Sequence, residues 1–259
     1  MSDQLAPPDP WQHLAALTQA RIGLGRAGPA LPTREVLAFG LAHARARDAV
    51  HSPHDTATLA TRLASLGLPI VHIASRAADR RCYLQRPDLG RRLDDASVAQ
   101  LQAASAANGA AGCDIAIVLA DGLSALACQR QGPPLLHALL PLLHGFQLAP
   151  LLIASQARVA LADEAGALLG ARLAIILLGE RPGLSSPDSL GAYLTYAPQI
   201  GRRDAERNCV SNIRPEGLTP TAAAARLAWL IRQALQRQLS GVQLKDESDE
   251  VVLNAPSAA

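Results

Sequence analysis

Aromatic residues are nearly absent from this 259-residue chain: two Trp, three Tyr and two Phe, 3% of the total. So few rings weaken any reading based on stacking of single-stranded bases, and they disfavour an aromatic-rich β-sandwich. The core has to come from Ala, Leu, Val and Ile in a sequence that is 49% hydrophobic, a composition suited to packed helices and a buried parallel sheet. An excess of one charge is also lacking. With 24 basic and 22 acidic residues the formal charge is +2, which gives no reason to expect a polyanionic partner, so nucleic acid is disfavoured. No run of about 18 apolar residues offers a membrane span, and the opening MSDQLAPPDP has no apolar h-region of a secretory signal. The four cysteines, Cys82, Cys113, Cys128 and Cys209, form no C-x-x-C pair. Reduced thiols in a cytoplasmic protein follow.

What is present divides the chain in two. Residues 1–10, polar with three prolines, read as a disordered lead. Residues 11–110 read as mainly helical. WQHLAALTQAR gives a short helix, and REVLAFGLAHARARDAV a longer one with Thr33 as N-cap and Glu35 in its first turn. ATLATRLASLG gives a third helix, stopped by Gly67, and RRLDDASVAQLQAASAA a fourth, with LPIVHIAS as a strand between them. After Asn108 the pattern changes to apolar, β-branched runs: CDIAIVLAD, APLLIAS, ARLAIILLGE and SLGAYLTYA. These alternate with helical LSALACQRQ, LADEAGALLGA and TPTAAAARLAWLIRQALQRQLSG, the last capped by Thr219, with Pro220 in its first turn and Gly241 as stop. Strands alternating with helices predict an α/β fold, a helical N-terminal region followed by a Rossmann-like parallel sheet covered by helices across residues 111–244. Residues 245–259 read as a mobile acidic tail.

RIGLGRAGPALPTRE places Gly23, Gly25 and Gly28 in the spacing G-x-G-x-x-G. As a dinucleotide loop the motif needs a strand before it and a helix directly after it. Here a helix precedes it, and Pro29 and Pro32 separate it from the next one. A tight loop whose glycines allow unusual backbone angles is the expectation, and the cofactor edge is sought in the other half of the chain.

In a doubly wound sheet, ligands sit outside the carboxyl ends of the strands. Three segments fall there. SQARVALADE carries Val159, Asp163 and Glu164; GERPGLSSPDS carries Glu180 at a strand tip; RRDAERNCVSNIRPEG, read as a polar loop, carries Cys209, Asn212 and Arg214. A carboxylate at a strand tip can accept from amide or hydroxyl donors; an ion pair of Glu180 with Arg181 or another arginine is the competing and slightly favoured structural role. Cys209 has no nearby His to activate it, so a small buried hydrophobe is its ordinary role. His51, His54 and Asp55 could supply metal ligands, but a solvated turn is the simpler reading, and no metal ligand is assigned. No Ser-His-Asp order with a G-x-S-x-G elbow occurs, and no catalytic residue is assigned to this chain.

Several long segments together carry a resemblance: LTQARIGLGRAGPALPTREVLAFGLAHARARDAVH, VLADGLSALA, RVALADEAGALLGARLAIILLGERPGLSSPDSLGAYLTYAP and ERNCVSNIRPEGL. Across about residues 12–244 the chain resembles the small subunit of ethanolamine ammonia-lyase. The resemblance implies one subunit of an adenosylcobalamin-dependent radical lyase that converts ethanolamine to acetaldehyde and ammonia. A TIM-barrel large subunit would hold the substrate and the catalytic residues, and this chain would cover the cobalamin at the interface within a higher hetero-oligomer. By similarity Val159, Glu180 and Cys209 match the family's cobalamin-contacting positions. The D-x-H-x-x-G pattern that supplies a histidine to cobalt in another cobalamin class does not occur. Packaging in a bacterial microcompartment stays open. Two other classes compete: a non-catalytic assembly module that docks a partner without touching the cofactor, and a nucleotide-dependent oxidoreductase. Arg21, Arg26 and Arg34 of the glycine loop are expected to fasten the helical half to the large subunit.

Overall fold

In the computed structural model, residues 9, 11–18, 20–107 and 112–248 are described. The lead predicted for 1–10, apart from Asp9, lies outside the described residues; of the tail predicted for 245–259 only 245–248 are described, with Asp246 paired to Arg226 at 3.2 Å and Glu247 3.9 Å from Arg237. A 3-10 turn over Gln12–Leu17 opens the chain. Helix α1 (Thr33–His51) follows, then α2 (Thr56–Leu63), strand β1 (Ile70–Ala74), α3 (Arg80–Gln85) and α4 (Asp95–Ala107). The remainder alternates β2 (Cys113–Ala120), α5 (Ala125–Leu139), β3 (Leu151–Ser155), α6 (Leu161–Leu168) and β4 (Ala171–Gly179). It closes with β5 (Leu190–Tyr196), β6 (Arg207–Ile213) and α7 (Pro220–Arg237).

The six strands form one sheet in the order β1-β3-β2-β4-β5-β6. The first four are parallel, joined by helical crossovers; β5 and β6 run antiparallel. The chain between β4 and β5, and again between β5 and β6, contains no crossover helix, and without one it can only turn back. The α/β class and the helical cover stand as expected, while the parallel sheet is extended by an antiparallel pair. The strand read in the N-terminal half, β1, joins this same sheet beside β3, from Ile70↔Leu151 to Ala74↔Ser155.

Side-chain alternation along the strands sends residues to two cores. Ile115, Ile117 and Leu119 of β2, with Leu173, Ile175 and Leu177 of β4, pack under α2, α5 and α7. Their neighbours Ala116, Val118 and Ala120, with Ala174, Ile176 and Leu178, face α4 and α6. Helix α7 buries Ala223, Leu227, Leu230, Ile231 and Ala234, the three-to-four spacing of one face. Each fully buried Leu or Ile contributes about 1.5–3 kcal/mol relative to exposure, and aliphatic cover on both faces compensates for the missing rings. By contrast, α1 buries only Ala49 along its 19 residues. Val36, Leu37, Phe39 and Leu41 stay exposed.

Local expectations were corrected in four places. Thr33 is the first residue of α1, behind Pro32, and makes no capping bond. The segment around Cys209 is β6, not a loop. Helix α7 ends at Arg237 with Gln238 left-handed, before Gly241. Helix α5 runs on through Pro133 and Pro134. A proline at 133 cannot donate to the carbonyl of residue 129, and that freed carbonyl of Gln129 is taken by Arg62 Nη1.

Candidate functional site

Gly23, Gly25 and Gly28 take positive φ values of 61°, 76° and 62°, in a loop that follows the opening 3-10 turn and not a strand. A Cβ at Gly23 would lie 2.8 Å from the Trp11 carbonyl. The glycines are accounted for by this tight loop.

The parallel strands order the opposite half. From β2 the chain crosses to β3 on one side, and from β3 back over β2 to β4 on the other. The carboxyl ends of β2 and β4 therefore form a switch point, where doubly wound sheets bind ligands. Two glycines bring these ends together: a Cβ on Gly122 would fall 2.3 Å from the Gly179 carbonyl oxygen, and one on Gly179 2.0 Å from that of Ser124. Asp121, buried at the end of β2, receives hydrogen bonds from the backbone N–H of Gln156 (3.0 Å) and Ala157 (3.1 Å). Those bonds hold the β3–α6 turn, in which Gln156 adopts a left-handed φ of 55°. Such a conformation persists only where its surroundings enforce it. Burial pushes the Asp121 carboxyl up, against the pull of His54, Arg80 and the two backbone bonds.

A crevice of about 810 Å³ opens at this edge, on the side of the sheet covered by α6. Leu178 and Tyr193 form part of its lining. Its walls include Arg158–Ala160 in the β3–α6 turn, Pro87 and Arg91 after α3, Glu180 and Arg181 after β4, and Arg202–Asp204 before β6. Val159 and Glu180, far apart in sequence, thus share one crevice. Cys209 sits on β6 directly opposite Tyr193 of β5, so its thiol and the Tyr193 phenol share a face beside the crevice.

Glu180 makes no ion pair with any arginine among the described residues, so the Arg181 pairing is replaced by neutral donors. Ser189 Oγ donates to its Oε2 at 2.5 Å and the Asn212 N–H to the same oxygen at 3.3 Å. Its own N–H donates to the Ser189 carbonyl at 3.0 Å. The carboxylate is thereby aimed, and charged acceptors are the strong ones. The loop around it is pinned as well: Ser124 Oγ donates to the Pro187 carbonyl, Arg130 pairs with Asp188 at 3.0 Å, and Arg214 donates to the Ser185 carbonyl at 2.9 Å.

The thiol of Cys209 is partly open to solvent, yet the adjoining β-surface removes enough water to push its pKa up. The Glu180 charge adds to that rise, and Tyr193 opposes it. Burial, assisted by Cys209, likewise raises the Tyr193 phenol. Both groups stay protonated at neutral pH, which suits a contact surface and not a nucleophile.

On the α6 side, Arg207 anchors the wall. It pairs with Asp163 at 2.6 Å and donates to Thr195 Oγ1 (3.0 Å) and the Arg202 carbonyl (2.8 Å). Arg92 grips Glu164 through two 2.9 Å hydrogen bonds, and the Leu93 N–H adds a third. Asp163 and Glu164, read as ligand-edge residues, serve as struts of the wall. His51, His54 and Asp55 do not assemble a metal site: among the described residues no three His, Cys, Asp or Glu side chains are grouped so as to hold a metal ion. His54 instead lies with Nε2 3.6 Å from Cys128 Sγ, and burial lowers its pKa. Asp121, Ser189, Tyr193, Tyr83 and Arg158 were not singled out from the sequence. Asp121 follows the last residue of β2, Ser189 immediately precedes β5 and Arg158 lies in the β3–α6 turn, while Tyr193 is within β5 and Tyr83 on α3, and no local motif marks any of them.

Fold and crevice together define an α/β chain of the doubly wound type with a crevice at the carboxyl edge beside the switch point. The family model for the ethanolamine ammonia-lyase light chain (EutC) matches residues 8–245. Curated proteins each called ethanolamine ammonia-lyase small subunit align over nearly the whole chain. One from Xanthomonas campestris pv. campestris is 54% identical, covering 100% of this chain and 96% of the relative. That from Azotobacter vinelandii is 56% identical over 96% and 93%, and that from Pseudomonas syringae pv. tomato 52% over 100% and 91%. The chain belongs to the ethanolamine ammonia-lyase small-subunit family. Among the described residues no helix is long and apolar enough to cross a membrane.

Proposed function

We propose that this chain is the cofactor-clamping subunit of an adenosylcobalamin-dependent ethanolamine ammonia-lyase. In this reading it assembles with a large subunit that carries the catalytic residues, within a higher hetero-oligomer in the cytoplasm. The observation that carries the reading is that Val159 and Glu180 line one crevice with Cys209 beside it, Glu180 being held by neutral donors with no counter-ion among the described residues.

The donor set fits a corrinoid. The corrin rim bears amide side chains, whose N–H groups suit the Glu180 carboxylate, while Arg158, Arg181 and Arg203 suit carbonyl or phosphate oxygens. An 810 Å³ crevice holds only part of so large a molecule, so a second subunit has to cover the remainder. When bound, the cofactor supplies a homolytically cleavable cobalt–carbon bond for radical chemistry on ethanolamine. This chain's residues do none of that chemistry: Glu180 orients, Val159 and Tyr193 offer apolar contact, and the protonated Cys209 packs. Helix α1 provides the docking element for the large subunit, since Val36, Leu37, Phe39 and Leu41 are exposed along it.

Substituting Glu180→Ala in the assembled complex is expected to weaken adenosylcobalamin binding by about 1–3 kcal/mol, because a corrin amide loses its acceptor. Equilibrium titration followed by absorbance measures it. Unchanged affinity would leave Glu180 with only its bonds to Ser189 and Asn212, and the assembly-module reading would gain.

A further inference from the structure

We propose that Arg158 is the anion anchor of the crevice, holding the phosphodiester of the bound corrinoid with a guanidinium that Tyr83 keeps in position; the proposal rests on the cofactor reading above. Six arginines line the crevice against two carboxylates, Glu180 and Asp204, in a chain whose formal charge is only +2. The six are not equivalent. Arg207 is neutralised by Asp163, and Arg202 by Glu206 at 2.5 Å. Arg91, Arg181 and Arg203 are on the rim, where water screens them.

Arg158 differs from all of these. Among the described residues it has no carboxylate partner. Its guanidinium lies 4.2 Å above the Tyr83 ring centroid, and Nη2 donates to the Tyr83 carbonyl at 3.3 Å. Its Nε is buried and has no hydrogen-bond acceptor. The backbone N–H of Arg158 donates to the Gly90 carbonyl at 2.8 Å. A Cβ on Gly90 would lie 2.9 Å from Arg158 Cγ, so the loop closes directly over the side-chain stem.

The platform is itself fixed. Tyr83 is fully buried, its hydroxyl donates to the Ala157 carbonyl at 3.1 Å, and burial pushes the phenol up to about 12. A second guanidinium, from Arg80, stacks on the same ring at 4.8 Å but is already paired with Asp121 at 3.4 Å. One cation of the pair is balanced inside the protein and the other is not. An unbalanced, preoriented guanidinium next to Val159 is the arrangement that an anionic oxygen completes, because Arg presents a planar fork to phosphate and loses little freedom when already stacked. The crevice then has two chemically distinct ends: a carboxylate for corrin amides and a guanidinium for the phosphodiester of the nucleotide tail.

Two probes separate these ends. Adenosylcobalamin carries the phosphodiester; adenosylcobinamide has the same corrin without phosphate or nucleotide. Both are titrated by absorbance into the assembled complex of this chain with a large subunit, as wild type and as Arg158→Met, with thermal unfolding of each complex recorded. The expected result is a loss of about 10- to 100-fold in adenosylcobalamin affinity with adenosylcobinamide unchanged. Equal loss of both corrinoids assigns Arg158 a structural role and overturns the proposal, as does an unchanged affinity for both. If the wild-type complex binds neither corrinoid, the cofactor reading falls and takes this proposal with it. If it binds both and Arg158→Met makes no distinction, only the anchor falls.

Discussion

Removing the Asp163 carboxylate should destabilise the protein more than any surface substitution. Asp163 and Arg207 have side chains 1% and 3% exposed, and their closest atoms are 2.6 Å apart. Deleting one member of such a pair leaves the other charge buried, at a typical loss of about 3–5 kcal/mol. In Asp163→Ala, Arg207 keeps the Thr195 hydroxyl and the Arg202 carbonyl, and Asp204 approaches to 3.6 Å from an exposed position. Those remaining partners put the expected loss near the lower end, about 3 kcal/mol. For a chain of this size each kcal/mol moves the melting temperature by about 2–4 °C, so a fall of about 6–12 °C is expected. Urea unfolding at pH 7 measures the free energy, and a thermal scan the shift. The double variant Asp163→Leu with Arg207→Met should recover most of the loss, because no charge is then left buried. A loss under about 1 kcal/mol, or a double variant no better than the single one, would refute the view that this pair ties α6 to the β5–β6 edge.

Three further variants carry expected outcomes. Burial would raise the Glu164 carboxyl, but its bonds from Arg92 and the Leu93 N–H outweigh that and lower it from 4.5. A carboxylate depressed in the folded state contributes stability that is fully present above its unfolded pKa and lost as pH falls through the folded one. Urea midpoints between pH 7 and pH 3 should therefore fall less steeply in Glu164→Gln than in wild type, and identical slopes would remove Glu164 from the acid response. At the other end of the molecule, Leu37→Asp should weaken co-purification with the large subunit by placing a charge on the exposed face of α1. Arg26→Ala tests the glycine loop in the same assay. Intact assembly in both variants would leave the loop and α1 without a docking role.

The difference between what the sequence discloses and what it hides is physical. CDIAIVLA, LLIAS and ARLAIILLG are legible because a strand buried on both faces is apolar at nearly every position. RNCVSNI is not: β6 lies at the sheet edge, with only Arg207, Val210 and Ile213 buried, so its polar spacing resembles a loop. For α5 the difficulty was Pro133 and Pro134, which signal a helix end; Arg62, 67 residues upstream of Gln129, compensates for the lost bond, and local sequence does not reveal that. Glu180 could be placed at a strand tip from the sequence, but its neutral partners Ser189 and Asn212 come from a reversing loop and the edge strand. Arg158 was hidden for a similar reason. Its importance depends on Tyr83 and Gly90, which reach it from around α3.

A density map of this chain assembled with a large subunit and adenosylcobalamin decides whether the carboxyl-edge crevice holds the cofactor. The cofactor reading predicts a corrin amide about 3 Å from the Glu180 carboxylate, with Val159 and Cys209 in contact with the same molecule. A corrinoid whose density touches none of Val159, Glu180 and Cys209 would contradict it.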